Sequence, residues 1–284
     1  MSIDPLVSVI IPVFNRTYEL KRALESVVKQ SYRNLEIIVI DDCSSVDIKS
    51  IVDFCKDSRI NYLRNDSNKG VSFSRNRGIV QSHGEYVAFL DSDDEWLPKK
   101  VEKQLEMFRF TDFRLIHTEE IWIRNGTRVN QKDKHKKSGG DIFERSLCLC
   151  LISPSSVILK RDVFDIYGLF DEKLPVCEDY DLWLRITSYE SVGFIETPLI
   201  IKYGGHKDQL SKKFAAMDKY RVISLLKLLS DANLSEQKKE AVKKMIYEKS
   251  QILYNGAIKR GNFLDAQIYR EWLNSNDQKG DKSS

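Results

Sequence analysis

Residues 86–94 read YVAFLDSDD, a run of five apolar residues that ends abruptly in three carboxylates. A short apolar run bounded by polar residues is typical of a strand buried on both faces of a parallel sheet. Asp91, Asp93 and Asp94 would then follow the carboxyl end of that strand, the edge at which open α/β sheets bind ligands. The stretch therefore predicts a buried strand with an acidic binding site at its end.

The residues before this stretch alternate apolar runs with amphipathic segments, a pattern that predicts a mainly parallel α/β sheet flanked by helices. A polar cluster follows each run: Asn15 the first, Asp41 and Asp42 the second, Arg64 the third. Because the carboxyl ends of parallel strands meet at one edge, we expect these side chains to share a site. We predict strands at residues 7–11, 36–40, 59–63 and 86–90, and helices at residues 17–29, 46–55 and 71–81.

Two units are predicted, a binding and catalytic domain over residues 1–205 and a C-terminal helical region over residues 206–284. In the first unit we further predict helices at 98–110 and 178–189, strands at 115–123, 155–159 and 192–201, and a mobile loop at 124–140. The second unit is helical in pattern from residue 211 to about residue 272.

Composition indicates a folded, cytoplasmic protein. The 284 residues are 42% hydrophobic, and the five cysteines form no CxxC pair. The N-terminus lacks a signal-peptide pattern and no apolar stretch reaches transmembrane length, so we expect no membrane span. We also expect no nucleic-acid partner.

Charge is unevenly spread along the chain. Of the net charge of +3, residues 207–284 carry +6, from sixteen Lys and Arg against ten Asp and Glu, which leaves −3 for residues 1–206. A solvated helical surface explains this asymmetry, and attraction to an anionic membrane surface or a phosphate-bearing acceptor is the alternative.

The D-x-D spacing of Asp91 and Asp93 turns two carboxylates toward one point. Hard cations such as Mn²⁺ and Mg²⁺ prefer oxygen ligands and share their coordination with substrate phosphates. The alternative is that the aspartates form a solvated turn and cap a helix. The position of the acidic cluster directly after a strand favours the metal site over this alternative. Asp94 is expected to cap the next helix.

Other groups at the same edge suit a nucleotide. Asp41 and Asp42 could accept hydrogen bonds from a base or ribose. The alternative is that they cap the following helix. Because Ser44 or Ser45 would suffice for that cap, both aspartates are left without a structural role. The residues that we expect beside a base are Pro12, Phe14 and Asn15. Arg75, in a glycine-started helix, suits an anionic ligand, although a solvated basic face would look the same.

Four segments, in this order, resemble the nucleotide-binding half of the inverting family 2 glycosyltransferases with the GT-A fold, which is Rossmann-like. They are residues 8–15 (SVIIPVFN), 40–45 (IDDCSS), 68–78 (NKGVSFSRNRG) and 88–94 (AFLDSDD). The resemblance covers about residues 6–205. It implies that Asp42 or Asp41 contacts the nucleobase, usually uracil, and that Asp93 holds the metal. Asp91 and Ser92 would then lie nearer the ribose and the diphosphate of a nucleotide sugar. Cys43 departs from the family's common glycine, and a side chain there would crowd the loop.

The family also places a catalytic base in a Glu-Asp pair at the start of a later helix, which Glu178 and Asp179 match. An inverting transfer needs one carboxylate to take the proton of the attacking acceptor hydroxyl. We assign this role to Asp179, with Glu178 and Asp181 as substitutes. The acidic run also suits a helix N-terminus through the helix dipole, and both uses are compatible.

Two further residues each have two possible roles. His206, in the segment YGGH at residues 203–206, could bind the metal or the diphosphate, although an exposed loop histidine is the commoner case. Arg185 could steady the acceptor or the base, and a packing role explains it equally well.

The resemblance implies a metal-dependent hexosyltransferase that moves a sugar from a nucleoside diphosphate sugar, a UDP-sugar by preference, to a saccharide or lipid-linked glycan acceptor during cell-surface polysaccharide synthesis. A catalytically silent nucleotide-sugar-binding scaffold is the alternative, and a nucleotidyltransferase is disfavoured because the N-terminal loop is not glycine-rich. Three roles stay open for the C-terminal region: covering the acceptor side, homo-oligomer formation, and peripheral contact at the inner face of the cell membrane.

Overall fold

The computed structural model describes residues 4–205 and 216–274. Within them, nine strands form one sheet: β1 (Val7–Val13), β2 (Leu35–Asp41), β3 (Ile60–Arg64), β4 (Tyr86–Phe89), β5 (Glu95–Trp96), β6 (Leu115–Arg124), β7 (Thr127–Val129), β8 (Ile158–Lys160) and β9 (Gly193–Gly204). The α-helices of the first range are α1 (Tyr18–Val28), α2 (Ile48–Phe54), α3 (Val71–Gln81), α4 (Lys100–Arg109), α5 (Phe143–Cys148), α6 (Asp162–Tyr167) and α7 (Glu178–Thr187). Those of the second are α8 (Met217–Leu229), α9 (Glu236–Lys259) and α10 (Phe263–Asn274).

The sheet order is β3-β2-β1-β4-β8-β6-β9-β5, with β7 paired to β6. The first four strands are mutually parallel, as predicted from their apolar runs. Beyond β4 the pairing is mixed, because β8 runs antiparallel to both β4 and β6 while β6 and β9 are parallel. In register, Val13 lies beside Asp41 and Asp41 beside Arg64, so the polar residues after these strands share one edge.

Helices cover both faces of the parallel half. Val9 of β1 belongs to a core cluster that includes Leu24 of α1, whereas the neighbouring Ile10 belongs to a cluster on the opposite face that includes Ile79 of α3. Gly78 lets α3 approach the sheet closely, since a Cβ at this position would lie 2.4 Å from the Ile10 side chain. This close approach brings the start of α3 to the edge that carries the acidic residues.

The C-terminal helices pack on the α/β unit through a third core cluster. Val222 of α8 and Ile246 of α9 are buried in this cluster together with Tyr180 and Leu184 of α7. Helix α7 therefore joins the two units, and the domain boundary at residue 205 stays a prediction. None of the helices in the described ranges combines the length and apolar character that a membrane crossing requires.

Some predicted elements differ from those observed. The segment predicted as a mobile loop contains β7, which forms a hairpin with β6, and a 3-10 turn at Asp133–His135. The strand expected from residue 155 begins at Ile158, because Pro154–Ser156 forms a 3-10 turn instead. Strand β9 continues to Gly204, and its pairing with β6 shifts register near Pro198, whose nitrogen has no hydrogen to donate.

His117 of β6 is fully buried, its Nε2 lies 3.0 Å from the Ser138 carbonyl oxygen, and burial together with Lys137 lowers its pKa to about 3. In the unfolded chain histidine titrates near pH 6.5. The folded state therefore binds fewer protons, and stability falls as the pH drops below about 6.5. We expect the wild type to lose about 2 kcal/mol more unfolding free energy than His117→Gln between pH 7 and pH 5.

Urea denaturation of both proteins at the two pH values measures this difference. Other groups titrate in both proteins and cancel in the comparison. Equal losses in the two proteins would show that His117 is not held neutral in the folded state.

Candidate active site

A cavity of about 500 Å³ opens at the carboxyl edge of β1, β2 and β4 and is closed on one side by the start of α7. Most of the predicted site residues line it, namely Pro12, Phe14, Asp42, Arg75, Asp91, Ser92, Asp93, Glu178 and Asp179. Asn15 and Asp41 do not line it. His206, predicted as a metal or diphosphate ligand, lies outside the described residues.

Arg75 connects two sides of this cavity. Its guanidinium lies 2.7 Å from Asp91 Oδ1 and 2.5 Å from Glu178 Oε1, so it joins the loop after β4 to helix α7. Burial alone would raise the pKa of Asp91, but the positive charges of Arg75 and Lys202 lower it. Burial raises the pKa of Glu178 to about 7, and the neighbouring Asp179 adds to the rise. Arg75 therefore joins two acidic groups through salt bridges, and its predicted role in binding an anionic ligand stays a prediction.

The other two carboxylates of the D-x-D loop have different partners. Asp93 Oδ2 pairs with Arg16 at 2.5 Å, and burial raises the pKa of Asp93, as does the charge of Asp91. Asp94 Oδ2 accepts a hydrogen bond of 2.6 Å from Ser155 Oγ, and burial raises its pKa well above the usual range. Asp94 does not cap the next helix, because α4 begins at Lys100; it anchors the loop to the turn before β8 instead.

The charges that line the cavity do not balance. Among the described residues that line the cavity, six carboxylates face three cations; burial raises the pKa values of Asp93 and Asp94, and the neighbouring carboxylates add to the rise. Their oxygen donors fit a hard divalent cation. In the described ranges no three His, Cys, Asp or Glu side chains converge into a closed metal site. An ion held by Asp93 and Asp91 would therefore complete its coordination with substrate oxygens.

The two aspartates after β2 have structural partners, contrary to the prediction. Asp41 is fully buried and accepts hydrogen bonds from the Tyr62 hydroxyl at 2.8 Å and from Arg64 at 2.6 Å. Asp42 accepts from the Gly70 and Lys69 backbone N–H groups at 2.8 and 2.9 Å, which fixes the start of α3.

The cap of α2 is Asp47, whose carboxylate accepts from Ser50 N at 3.0 Å, so neither Ser44 nor Ser45 has that role. Asp42 lines the cavity and Asp41 shapes the loop from behind.

The turn after β1 is tied to the turn after β2. Asn15 has a φ of 54° and its backbone N–H donates to Ser44 Oγ at 2.9 Å, while its side-chain oxygen accepts from Ser45 N at 2.7 Å. The Phe14 ring lines the cavity and is 44% exposed. Asn15 therefore positions the loop, whereas Phe14 offers an apolar face to a ligand.

Cys43 occupies the position where the family commonly has glycine, and its φ of 62° explains that preference. A left-handed backbone is strained for residues with a Cβ and free of strain for glycine. The unfavourable feature of Cys43 is therefore its left-handed backbone conformation, and not the side-chain crowding that we expected.

Asp179 lies at the N-terminus of α7, directly after Glu178. The residue before this pair, Cys177, has a left-handed φ of 63°, a strained conformation of the kind that functional sites often hold. Asp179 Oδ2 lies 3.5 Å from the Cys150 thiol, and burial raises the pKa of that thiol well above its usual range, so the thiol is a neutral donor. The carboxylate of Asp179 faces the cavity, and no cation among the residues that the structure describes forms a salt bridge with it, unlike the carboxylate of Glu178.

Asp181, the other substitute for the base, is buried away from the cavity lining. It pairs with Arg185 at 2.9 Å and with Lys227 at 2.7 Å. Arg185 also donates to the carbonyls of Tyr167 and Leu169. Both side chains therefore hold α7 against its neighbours. For Arg185 this agrees with the packing role, the second of its two predicted roles.

Comparison with known proteins places these motifs in one family. The sequence model of glycosyl transferase family 2 matches residues 8–165, more than half of the chain. The chain belongs to this family. The match includes all four N-terminal motifs and ends before the Glu178-Asp179 pair.

Two relatives show how far the likeness extends. An uncharacterized glycosyltransferase of Rickettsia felis is 37% identical over 203 residues, which are 69% of this chain and 32% of that one. The chain spans about a third of that relative's length. The Escherichia coli UDP-Glc:alpha-D-GlcNAc-diphosphoundecaprenol beta-1,3-glucosyltransferase WfgD is 31% identical over 219 residues, 77% of this chain and 82% of WfgD.

Solved structures confirm the GT-A fold of this family 2 member. Staphylococcus aureus TarS 1–349 in complex with UDP-GlcNAc superposes with a TM-score of 0.70 at 16% identity, over 96% of this chain and 91% of that one. The Pyrobaculum calidifontis mannosyltransferase PcManGT, in complex with GDP-Man and Mn²⁺, gives a TM-score of 0.64 at 14% identity, over 97% and 85% of the two chains.

Two cations and a tyrosine that line the cavity of this glycosyltransferase were not predicted from the sequence. Lys202 of β9 lines the cavity, and although burial opposes it, Glu120 and Asp94 raise its pKa. A lysine within the apolar run PLIIKY at residues 198–203 was the available signal. Arg16 and Tyr203 also line the cavity, and nothing in their local sequence distinguishes them from surface residues.

Proposed function

We propose that this glycosyltransferase moves a hexose from a UDP-sugar to a saccharide or lipid-linked glycan acceptor, with inversion, in the synthesis of a cell-surface polysaccharide. One observation carries the proposal: Asp93 and Asp179, which come from distant parts of the chain, line the same cavity. The substrates named for WfgD and the UDP-GlcNAc held by TarS support the donor and acceptor classes.

The donor would lie along the edge of β1, β2 and β4. Phe14 presents an exposed apolar face for a base, and Asp42 shapes the wall on which the nucleoside rests. Asp91 and Ser92 face the ribose and the diphosphate. Lys202 and Arg16 supply positive charge at this end of the cavity, which suits the diphosphate.

Asp93, with Asp91 beside it, would hold Mn²⁺ or Mg²⁺. Such an ion neutralises the charge of the departing diphosphate. The Mn²⁺ bound by PcManGT, which shares the fold, is consistent with this assignment. His206 remains a proposed additional ligand.

Asp179 would act as the base. It takes the proton of the acceptor hydroxyl while that oxygen bonds to the anomeric carbon, and the bond from this carbon to the diphosphate oxygen breaks on the opposite side. Glu178 is held by Arg75 and positions the start of α7, so Asp179 is the better placed of the two.

A screen of nucleotide sugars tests the proposal. We expect UDP release from a UDP-sugar in the presence of Mn²⁺ or Mg²⁺ and none after chelation with EDTA. Calorimetric binding of UDP-sugars without release, across a broad panel of acceptors, would favour the silent scaffold instead.

Arg16 provides a prediction about the metal site alone. Its guanidinium lies 2.5 Å from Asp93 Oδ2, so a metal ion must compete with Arg16 for this carboxylate. We expect Arg16→Gln to bind Mn²⁺ about fivefold more tightly than the wild type without any donor, because an ion pair of about 1 kcal/mol no longer competes. Titration followed by Mn²⁺ electron paramagnetic resonance measures this affinity, with the exposed Arg33→Gln as the control. Equal or weaker binding by Arg16→Gln would contradict the competition.

A further inference from the structure

The turn between α9 and α10 exposes an unusual amount of apolar surface. Residues 258–264 read IKRGNFL, and Ile258, Phe263 and Leu264 are 43%, 71% and 81% exposed. Single exposed apolar residues are ordinary on protein surfaces, but a contiguous group marks a contact site. We call residues 258–264 the apolar turn.

The apolar turn is also positively charged. It carries the exposed Lys259 and Arg260 and no acidic residue. In the part of the chain that the structure describes, neither cation takes part in a salt bridge. The nearest acid in sequence, Asp265, is engaged by Lys219 at 3.4 Å and by the Asn262 side chain at 2.8 Å. The exposed charge of the turn is therefore cationic.

The helices that flank the turn contact α8, which begins at the cavity. The contact between Asp265 and Lys219 places the start of α10 against the first turn of α8, and Lys249 of α9 pairs with Asp218 at 2.9 Å. Met217, the residue before Asp218, lines the cavity. The apolar turn and the cavity are thus joined through the N-terminus of α8.

We infer that the apolar turn is a membrane-contact surface, which inserts Phe263 and Leu264 among lipid chains and places Lys259 and Arg260 at anionic headgroups. Apolar side chains flanked by cations are the composition of surfaces that bind the interface of anionic bilayers. A second copy of the chain fits less well, since stable protein interfaces bury about 800 Å² on each partner and one turn is far smaller. The purpose of the contact rests on the proposed function, because a membrane-held acceptor would then reach the cavity.

Flotation of the full chain with phosphatidylglycerol vesicles, and with phosphatidylcholine vesicles for comparison, tests the inference. We expect binding to the anionic vesicles, weakened about thirtyfold by Lys259→Gln with Arg260→Gln, and at least about tenfold by Phe263→Ser with Leu264→Ser. Phe110→Ser is the matched control, because Phe110 is also 81% exposed but lies at the end of α4. Wild-type protein that stays with the unbound fraction, or variants that float like the control, would overturn the inference.

Two further measurements separate the explanations. Light scattering that shows a wild-type dimer and a monomeric Phe263→Ser, Leu264→Ser variant would assign the turn to self-association and overturn the inference. UDP release without vesicles should be the same in the wild type and the turn variants. This result would show that the apolar turn acts only in membrane binding. Absence of release from the wild type would count against the proposed activity and leave the vesicle result standing.

Discussion

Asp179→Asn is expected to lower kcat by about 10³-fold while the affinity for UDP stays nearly unchanged. General-base catalysis contributes roughly 10²- to 10⁴-fold, and an amide cannot accept the proton of the acceptor hydroxyl. The side chain is outside the salt bridges of its helix and its replacement is isosteric, so the fold should persist. UDP release at saturating donor and acceptor gives kcat, and calorimetry gives the affinity for UDP.

Asp165→Asn is a matched control, because Asp165 is an exposed aspartate on the short helix α6. Glu178→Gln should behave differently from Asp179→Asn, since it breaks the contact with Arg75 and loosens the donor side as well. Asp179→Asn with a wild-type kcat would remove this residue from the reaction and direct attention to Glu178.

Asp93→Asn is expected to lower kcat/KM by at least about 10²-fold and to abolish binding of Mn²⁺ at micromolar concentrations. The amide has no charge with which to hold the ion, and the guanidinium of Arg16 loses its partner at 2.5 Å. Kinetics at increasing Mn²⁺ and electron paramagnetic resonance titrations give the two readouts. Because the ligand itself is lost, excess Mn²⁺ should restore little activity.

Asp66→Asn is the matched control, because Asp66 is an exposed aspartate on the loop after β3. It tests whether loss of any aspartate near the donor side lowers kcat/KM and Mn²⁺ binding. Full activity of Asp93→Asn together with unchanged Mn²⁺ binding would show that the ion is held elsewhere, with Asp91 the next residue to replace.

Much of the fold was predictable because it rests on local patterns. The runs that became β1, β2 and β4 are mainly apolar and, apart from Glu36, buried, as expected for strands covered on both faces. The antiparallel pairing of β4 with β8 was not predicted, because Tyr86 and Lys160 are neighbours only through long-range contacts. Strand β7 was missed because it is only three residues long and its Thr127 and Arg128 are polar and exposed.

The acidic residues of the site were predictable, but their partners were not. Asp91, Asp93 and Asp179 stand out by their position after a strand or at the start of a helix. The pairing of Asp93 with Arg16 and of Arg75 with two carboxylates depends on side-chain geometry across different elements. Asp41 shows the converse, since an acidic residue at a strand end turned out to be buried among structural partners.

Backbone strain falls on both sides of the cavity. Cys43, in the loop behind Asp42, and Cys177, before Glu178 and Asp179, both have φ values near +60°. Non-glycine residues in this region cost about 1–3 kcal/mol and persist where surrounding contacts fix them. The left-handed backbone at Cys177 directly precedes the acidic pair, and that at Cys43 lies between Asp42 and the turn that leads to α2.

The product of the reaction tests the central claim most directly. The chain is incubated with UDP-glucose, the donor named for WfgD, and a GlcNAc-diphospho-lipid analogue, with Mn²⁺ or with EDTA, and the new linkage is read from its anomeric proton coupling. An inverting, metal-dependent transferase predicts a β-linked product from the α-linked donor, formed only with the metal. An α-linked product, or the same yield in EDTA, would contradict the account.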